Sequence, residues 1–173
     1  APQAIGTRAG VVKRWNREAP TTMDSWSVLA LQDGASVLFA ADAADEDRLV
    51  FVASDSSLLT FDAGNVRPQG RTAGGMAGIR LAEGCTAITF NVVPAGKIAW
   101  TYEEGDNGMF SASGAVVLTV AGDKDALPGT ENGAAKVTPL EMYPTKGRGT
   151  GGVRSQRFLK GQNTLLFARV GMY

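Results

Sequence analysis

Gly70 to Val93 reads GRTAGGMAGIRLAEGCTAITFNVV, and Gly147 to Val170 reads GRGTGGVRSQRFLKGQNTLLFARV. The two stretches align without a gap at an offset of 77 residues. Eight pairs are identical: Gly70/Gly147, Arg71/Arg148, Gly74/Gly151, Gly75/Gly152, Arg80/Arg157, Gly84/Gly161, Phe90/Phe167 and Val93/Val170. A fainter copy lies upstream, where Leu31-Gln32-Asp33-Gly34 and then Val37-Leu38 match Leu81-Ala82-Glu83-Gly84 and then Ala87-Ile88, at an offset of 50. Each copy follows one plan: an apolar strand, a Gly/Arg-rich loop, a second strand, a tight turn at glycine and a third strand. The glycine that ends L-x-x-G is placed to supply a positive φ in that turn. Tandem multi-stranded units of about 50 residues point to a propeller-like array. The alternative is an irregular β-sandwich punctuated by glycines, and the eight ungapped identities weigh against it.

The remaining sequence fits an all-β fold. Val11-Val12, Val37–Phe39, Leu49–Val52, Ile88–Phe90, Val116–Val120 and Leu165–Phe167 are short apolar runs, several of them rich in β-branched residues and bounded by Gly, Asp or Asn, as strands are. Glycine occurs 22 times in 173 residues, well above the usual share of about 7%. Only Ala40–Arg48 reads as a short helix, with an acidic turn as its alternative. The chain is expected to form a single domain over residues 1–173, with copies at roughly 1–47, 48–97 and 113–173. Insertions are expected at 94–112, with an acidic tip at Glu103–Gly108, and at Asp123–Asn132.

Composition excludes several chemistries. The chain has no histidine, so imidazole bases, Ser-His-Asp triads and histidine metal sites are ruled out. Cys85 is the only cysteine. It allows no internal disulfide or CxxC clamp, reads as a small buried residue, and suits a reducing cytoplasm. No apolar run reaches membrane-spanning length, so no membrane partner is expected. The first residue is Ala1, which reads as a processed chain or a fragment.

Lysine plus arginine and aspartate plus glutamate both total 17, yet the charge is segregated. Net charges are +4 over residues 1–17, −8 over 18–66, +3 over 67–97, −5 over 98–132 and +6 over 133–173. The basic blocks coincide with the strand–loop part of each copy. Equivalent positions of an array lie on one rim, so the bases would form one band able to neutralise phosphates. The plainer alternative is a set of solvated faces that pair with one another.

Thr130-Glu-Asn-Gly133-Ala-Ala-Lys136-Val-Thr138-Pro139-Leu140-Glu-Met-Tyr143, followed by Lys146-Gly-Arg-Gly-Thr-Gly-Gly152-Val153, resembles a blade of the C-terminal domain of bacterial type II topoisomerase A subunits (DNA gyrase and topoisomerase IV). The family pattern is roughly T-E-x-G-x-G-K-R-T-P-L-x-x-Y/F, then a Gly/Arg/Lys-rich loop, then G-V. Gly10-Val-Val-Lys13-Arg14 resembles the G-V-V-K-R strand of another blade, and Arg71–Leu81 the loop and strand of a third. The resemblance implies a β-pinwheel with strands exchanged between blades, which binds and bends duplex DNA around its edge without reading bases. Family discs commonly have about six blades, so three copies imply a partial or reduced disc. Lys146–Gly152 lacks the glutamine and final lysine of the gyrase Q-R-R-G-G-K-G loop, and Val137 replaces the usual arginine. A topoisomerase IV-like or divergent gyrase-like chain fits these departures better than a supercoil-introducing one.

The expected DNA contacts are Lys13, Arg14, Arg67, Arg71, Arg80, Lys136, Lys146, Arg148, Arg154 and Arg157, with Lys160 secondary. Loop bracing is the alternative for each, and weighs more for Arg80 and Arg157. Trp15, Trp26 and Trp100 read as packing residues before base-stacking ones. Tyr102, Tyr143 and Tyr173 lack the neighbours of a DNA-cleaving tyrosine, so no catalytic residue and no metal site is expected. As the resemblance implies, ATP and Mg²⁺ serve the holoenzyme and not this domain. The expected partners are double-stranded DNA, the remainder of the topoisomerase polypeptide to which the domain belongs, and the B subunit, in the cytoplasm at the nucleoid. The competing function is a propeller-like protein–protein interaction module with little DNA affinity.

Overall fold

The computed structural model describes residues 1–129 and 132–173. Thr130 and Glu131, which open the motif quoted above, lie outside the described residues. Three antiparallel sheets repeat one arrangement. The first contains β1 (Gln3–Thr7), β2 (Val11–Trp15) and β3 (Val37–Asp42), in the order β3-β1-β2. The second contains β4 (Arg48–Ala53), β5 (Ser57–Asp62) and β8 (Ala87–Val93), in the order β5-β4-β8. The third contains β11 (Ala115–Gly122), β12 (Ala134–Pro139) and β14 (Thr164–Met172), in the order β12-β11-β14. In each repeat a hairpin is followed by a loop excursion, and the chain returns to pair beside the first hairpin strand.

The excursions tie one repeat to the one before it. Within the second repeat, β6 (Pro68–Gln69) and β7 (Met76–Ala77) leave their own sheet and pair with β2, β7 antiparallel with Met76 opposite Val12. Within the third, β13 (Val153–Arg154) pairs antiparallel with β5, Val153 opposite Leu58. The carbonyl at the preceding hairpin turn anchors each loan: the Gly78 N–H donates to Gly10 O at 2.8 Å, and the Ser155 N–H donates to Ser56 O at 2.7 Å.

The second sheet is buried on both faces, which explains why its first strand reads as an unbroken apolar run rather than an alternating one. Leu49, Phe51 and Ala53 point into a cluster shared with Ala4, Val12, Phe61 and Phe90. Val50 and Val52 point into a second cluster with Leu58, Val117, Leu140 and Leu165. Phe51 and Phe90 meet at 4.8 Å between ring centroids, and truncating Phe51 to alanine would cost about 3–5 kcal/mol. The turn glycines Gly34, Gly84 and Gly161 have φ of 75°, 77° and 85°, the same conformation at the same place in three repeats.

Some expectations need correction. Of the two readings of Ala40–Arg48, the acidic turn holds and the helix does not: the segment is the end of β3 and a turn in which Asp47 Oδ2 accepts the Ala44 N–H at 2.9 Å. The insertion before the third repeat forms a two-stranded hairpin, β9 (Thr101–Glu104) and β10 (Phe110–Ser113), with Tyr102 stacked on Phe110 at 5.1 Å. Cys85 is half-buried rather than buried. Trp15, Trp26 and Trp100 are also half-buried. No helix among the described residues is long and apolar enough to cross a membrane.

Candidate nucleic-acid interface

The Gly/Arg-rich loops that deliver β7 and β13 require glycine where they meet the preceding repeat. Gly152 has φ 73°, and a Cβ there would sit 2.1 Å from the Leu58 carbonyl oxygen. Its equivalent Gly75 has φ 82°, and a Cβ would lie 3.0 Å from Val12 O. These close approaches press each loop onto its neighbour and fix where the adjacent arginines emerge.

At the seam between the second and third repeats, the Lys146–Gly152 loop crosses the Asn65–Arg80 segment. The Gly149 N–H donates to Gly78 O at 2.7 Å, the Arg80 N–H to Thr150 O at 2.9 Å, and the Lys146 N–H to Thr60 O at 3.2 Å. Arg148 locks the crossing, donating from Nε to Asn65 O at 3.0 Å and from Nη1 to Ala77 O at 2.9 Å. The Arg80 guanidinium lies 3.8 Å from where a Gly151 side chain would start. Arg67, Arg80 and Lys146 are exposed around this crossing. A second group gathers one repeat further on, about Ser155, whose carbonyl accepts Lys136 Nζ at 2.9 Å. Arg154 and Arg157 flank it and are exposed, as is Lys160. By the 77-residue offset, Arg157 occupies the place of Arg80, so the two groups stand at equivalent points of successive repeats.

Two of the ten expected contacts are overturned by burial. Lys13 is fully buried and donates from Nζ to the carbonyls of Val28 at 2.5 Å, Ala73 at 2.7 Å and Arg71 at 3.2 Å. Burial pushes its ammonium below the ordinary lysine range, with the Glu18 carboxylate opposing the shift. Arg14, 1% exposed, donates to Ala63 O, Val66 O and Ala43 O at 3.1, 3.0 and 2.9 Å and pairs with Asp45 at 2.8 Å. Both are fasteners between the first and second repeats and offer nothing to a phosphate. Of the ten candidates, Arg14 alone is ion-paired among the described residues. Arg67, Arg71, Arg80, Lys146, Arg154 and Arg157 have no side-chain partner there.

The two seams therefore differ. At the first, Glu18 Oε2 accepts the Arg71 N–H at 3.2 Å, taking a backbone amide that an anion would otherwise use. At the second, the loop amides bond to carbonyls and no carboxylate intervenes among the described contacts. Arg71 and Arg148 are both half-buried, but the Arg148 guanidinium is committed to the carbonyls of Asn65 and Ala77. The polar knot that seats β13 has no signature in the sequence. Ser56, at φ 80°, accepts the Gln156 N–H on Oγ at 2.8 Å and shares contacts with Ser155. No group of residues suited to holding a metal ion is found among the described residues.

The family model described as "DNA gyrase C-terminal domain, beta-propeller" matches residues 47–87 and 129–170. These are the two segments that carry the Gly/Arg-rich loops. In these two segments the chain is similar to the DNA gyrase C-terminal β-propeller family. The gyrase A protein of Aeromonas salmonicida is 42% identical over 90 residues, 52% of this chain and 7% of that protein. That of Streptomyces coelicolor is 25% identical over 175 residues, 96% of this chain and 17% of that protein. The chain thus spans less than a fifth of the gyrase A proteins it matches. The crystal structure of the C-terminal domain of a DNA topoisomerase IV superposes with a TM-score of 0.72 at 18% identity, covering 98% of this chain and 46% of that one. The fold is thus the gyrase-type pinwheel, and the strand loans of β7 and β13 are its blade exchange.

Proposed function

We propose that this chain is a DNA-binding and DNA-wrapping part of the C-terminal domain of a type II topoisomerase A subunit, of gyrase or topoisomerase IV type. The observation that carries this reading is the convergence of unpaired cations on the crossing of Gly-rich loops at the seam between the second and third repeats. A duplex following the rim meets Arg67, Arg80 and Lys146 there, then Arg154 and Arg157 one repeat further on. Arg148 acts as the brace that holds the crossing. Contacts of this kind go to phosphates and carry no base sequence, so binding is driven by counterion release and steered by the ease of bending the duplex. The neutral total charge makes the affinity modest and strongly salt-dependent. The domain does no chemistry itself: it presents DNA to the catalytic remainder of the topoisomerase, including the B subunit, where ATP and Mg²⁺ are used. The site of action is the cytoplasmic nucleoid.

The test is binding to linear duplex of about 40 base pairs across a salt series, read as the slope of log affinity against log salt. Replacing Arg80 and Lys146 together by glutamine is expected to flatten the slope by about 0.9 for each lost phosphate contact. An unchanged slope would place the DNA path elsewhere. Absence of binding at low salt would favour the protein-interaction reading.

A further inference from the structure

The Gly/Arg-rich loop at the first seam carries a carboxylate oxygen that its counterpart at the second seam lacks. Glu18 Oε2 accepts the Arg71 N–H at 3.2 Å. The same oxygen lies against Gly70: a Cβ there would collide with the Glu18 carboxylate and, its chain neighbours aside, would meet nothing else within 4 Å. At the equivalent Gly147 a Cβ would meet only the Thr150 methyl, at 3.6 Å. Gly70 thus leaves the space that the oxygen takes.

Glu18 is a tethered occupant of that space. Its main chain is fixed beside the end of β2, where its N–H donates to Asn16 Oδ1 at 2.9 Å and its carbonyl accepts Trp15 Nε1 at 3.0 Å. The residue itself is exposed, and its carboxylate makes no ion pair among the described residues. Around it the loop is built for an anion. The Lys13 ammonium holds the loop by Arg71 O at 3.2 Å and Ala73 O at 2.7 Å, and it feels the Glu18 charge. The Arg71 guanidinium has no hydrogen bond or ion pair among the described residues. Thr72 and Gly74 are exposed on the same loop, and nothing lies within 4 Å of where a Gly74 side chain would start, so the loop is open to approach. A main-chain amide backed by cations suits a phosphate oxygen as well as a carboxylate one.

We propose that the Gly70–Ala73 loop is a seat for a phosphate of duplex DNA, and that Glu18 fills it as an internal stand-in until the duplex displaces it. This rests on the DNA-binding reading and adds a contact at the first seam to those of Arg67, Arg80 and Lys146. The duplex must drive off a carboxylate at the first seam and none at the second. The first seam is therefore engaged last and released first as salt rises.

The test compares the parent, Glu18→Gln, Gly70→Ala and the double variant in binding to linear duplex of about 40 base pairs across a salt series. Glu18→Gln is expected to tighten binding and to steepen the slope of log affinity against log salt by about 0.9, one further phosphate contact. In the Gly70→Ala chain the methyl group fills the seat, so adding Glu18→Gln is expected to leave the slope unchanged. Equal steepening in both backgrounds would be the loss of a negative charge and nothing more, and overturns the proposal. The Arg71 amide, followed by ¹H–¹⁵N spectra, separates the sources of phosphate. In Glu18→Gln it is expected to shift with inorganic phosphate and with duplex. A shift with inorganic phosphate and no change of slope marks a seat for the free ion alone and overturns the assignment to DNA. No shift with either means that there is no seat. A parent that binds duplex with a slope that Glu18→Gln leaves unchanged sinks this proposal alone, whereas absence of duplex binding by both chains sinks the DNA-binding reading too. Glu18 is exposed, Gly70 has no positive φ, and the atom that a methyl group would meet is the end of a flexible side chain, so the variants keep the fold and the same spectra verify it.

Discussion

Lys13 and Lys136 occupy the same place in two copies of one motif, Gly10-Val-Val-Lys13 and Gly133-Ala-Ala-Lys136, and their surroundings are opposite. Lys13 is sealed under the Arg71–Ala73 loop of the next repeat and serves three carbonyls. Lys136 is covered by no following loop among the described residues, is exposed, and serves one carbonyl. The residue type and its local strand are the same, so the difference comes from the neighbour. A basic residue in a tandem repeat is thus a fastener where the next repeat covers it and a surface charge where it does not. Basic motifs therefore overstate the DNA-facing charge of such a domain wherever seams are closed.

The sharpest way to break this comparison is to unseat a loaned strand. Gly152→Ala pushes a methyl group to 2.1 Å from the Leu58 carbonyl at a φ of 73°, and the atoms it meets are backbone rather than the end of a flexible side chain. The expected destabilisation is about 4 kcal/mol, from overpacking together with left-handed strain. Gly161→Ala is the control. Its φ is 85° but nothing lies within 4 Å, so strain alone applies, at about 1 kcal/mol. Urea unfolding of the two variants measures the difference. Equal losses would mean that the seam tolerates the loop in a second position.

Next in size is the lysine pair itself. Lys13→Met strands three part-buried carbonyls and is expected to cost about 3 kcal/mol. Lys136→Met is expected to cost less than about 1 kcal/mol. Urea unfolding of the two variants measures the gap, and equal losses would mean that the covering loop adds nothing to the hold on Lys13.

The repeats were legible because their strands are built from β-branched runs and end on glycines that must turn the chain. The apolar run Leu49–Val52 marked a strand but was not read as burial on both faces, which the two clusters reveal. The strand loans were not legible. β7 and β13 are two residues long, Met76–Ala77 and Val153–Arg154, too short to show any period. Because they were invisible, so was the covering of Lys13 and Arg14, and a charged pair following two valines read as surface. The positions of Lys146 and Arg148 in a loop were readable, whereas Arg80 before Leu81 read as strand and lies in a loop; the meeting of the three was not readable. It depends on main-chain bonds from Gly149 to Gly78 and from Arg80 to Thr150, which involve no side chain that a pattern could register.

The smallest effect tests the electrostatics of the closed seam. Removal from water disfavours the charged form of Lys13 and lowers its pKa from 10.5, against the smaller opposing pull of Glu18. Between the folded-state pKa and 10.5, the unfolded chain holds this proton more tightly than the folded one. Stability contributed through Lys13 therefore rises as pH climbs through that window and is flat below it. The expected observation is an unfolding free energy of the parent that increases relative to Lys13→Met as pH is raised towards 10.5, so that the gap between the two is smallest near neutrality. The comparison with the variant cancels the titration of groups common to both. A gap that narrows with rising pH would mean that the three carbonyls and Glu18 outweigh desolvation, and that the sealed ammonium is held more firmly than a lysine in water.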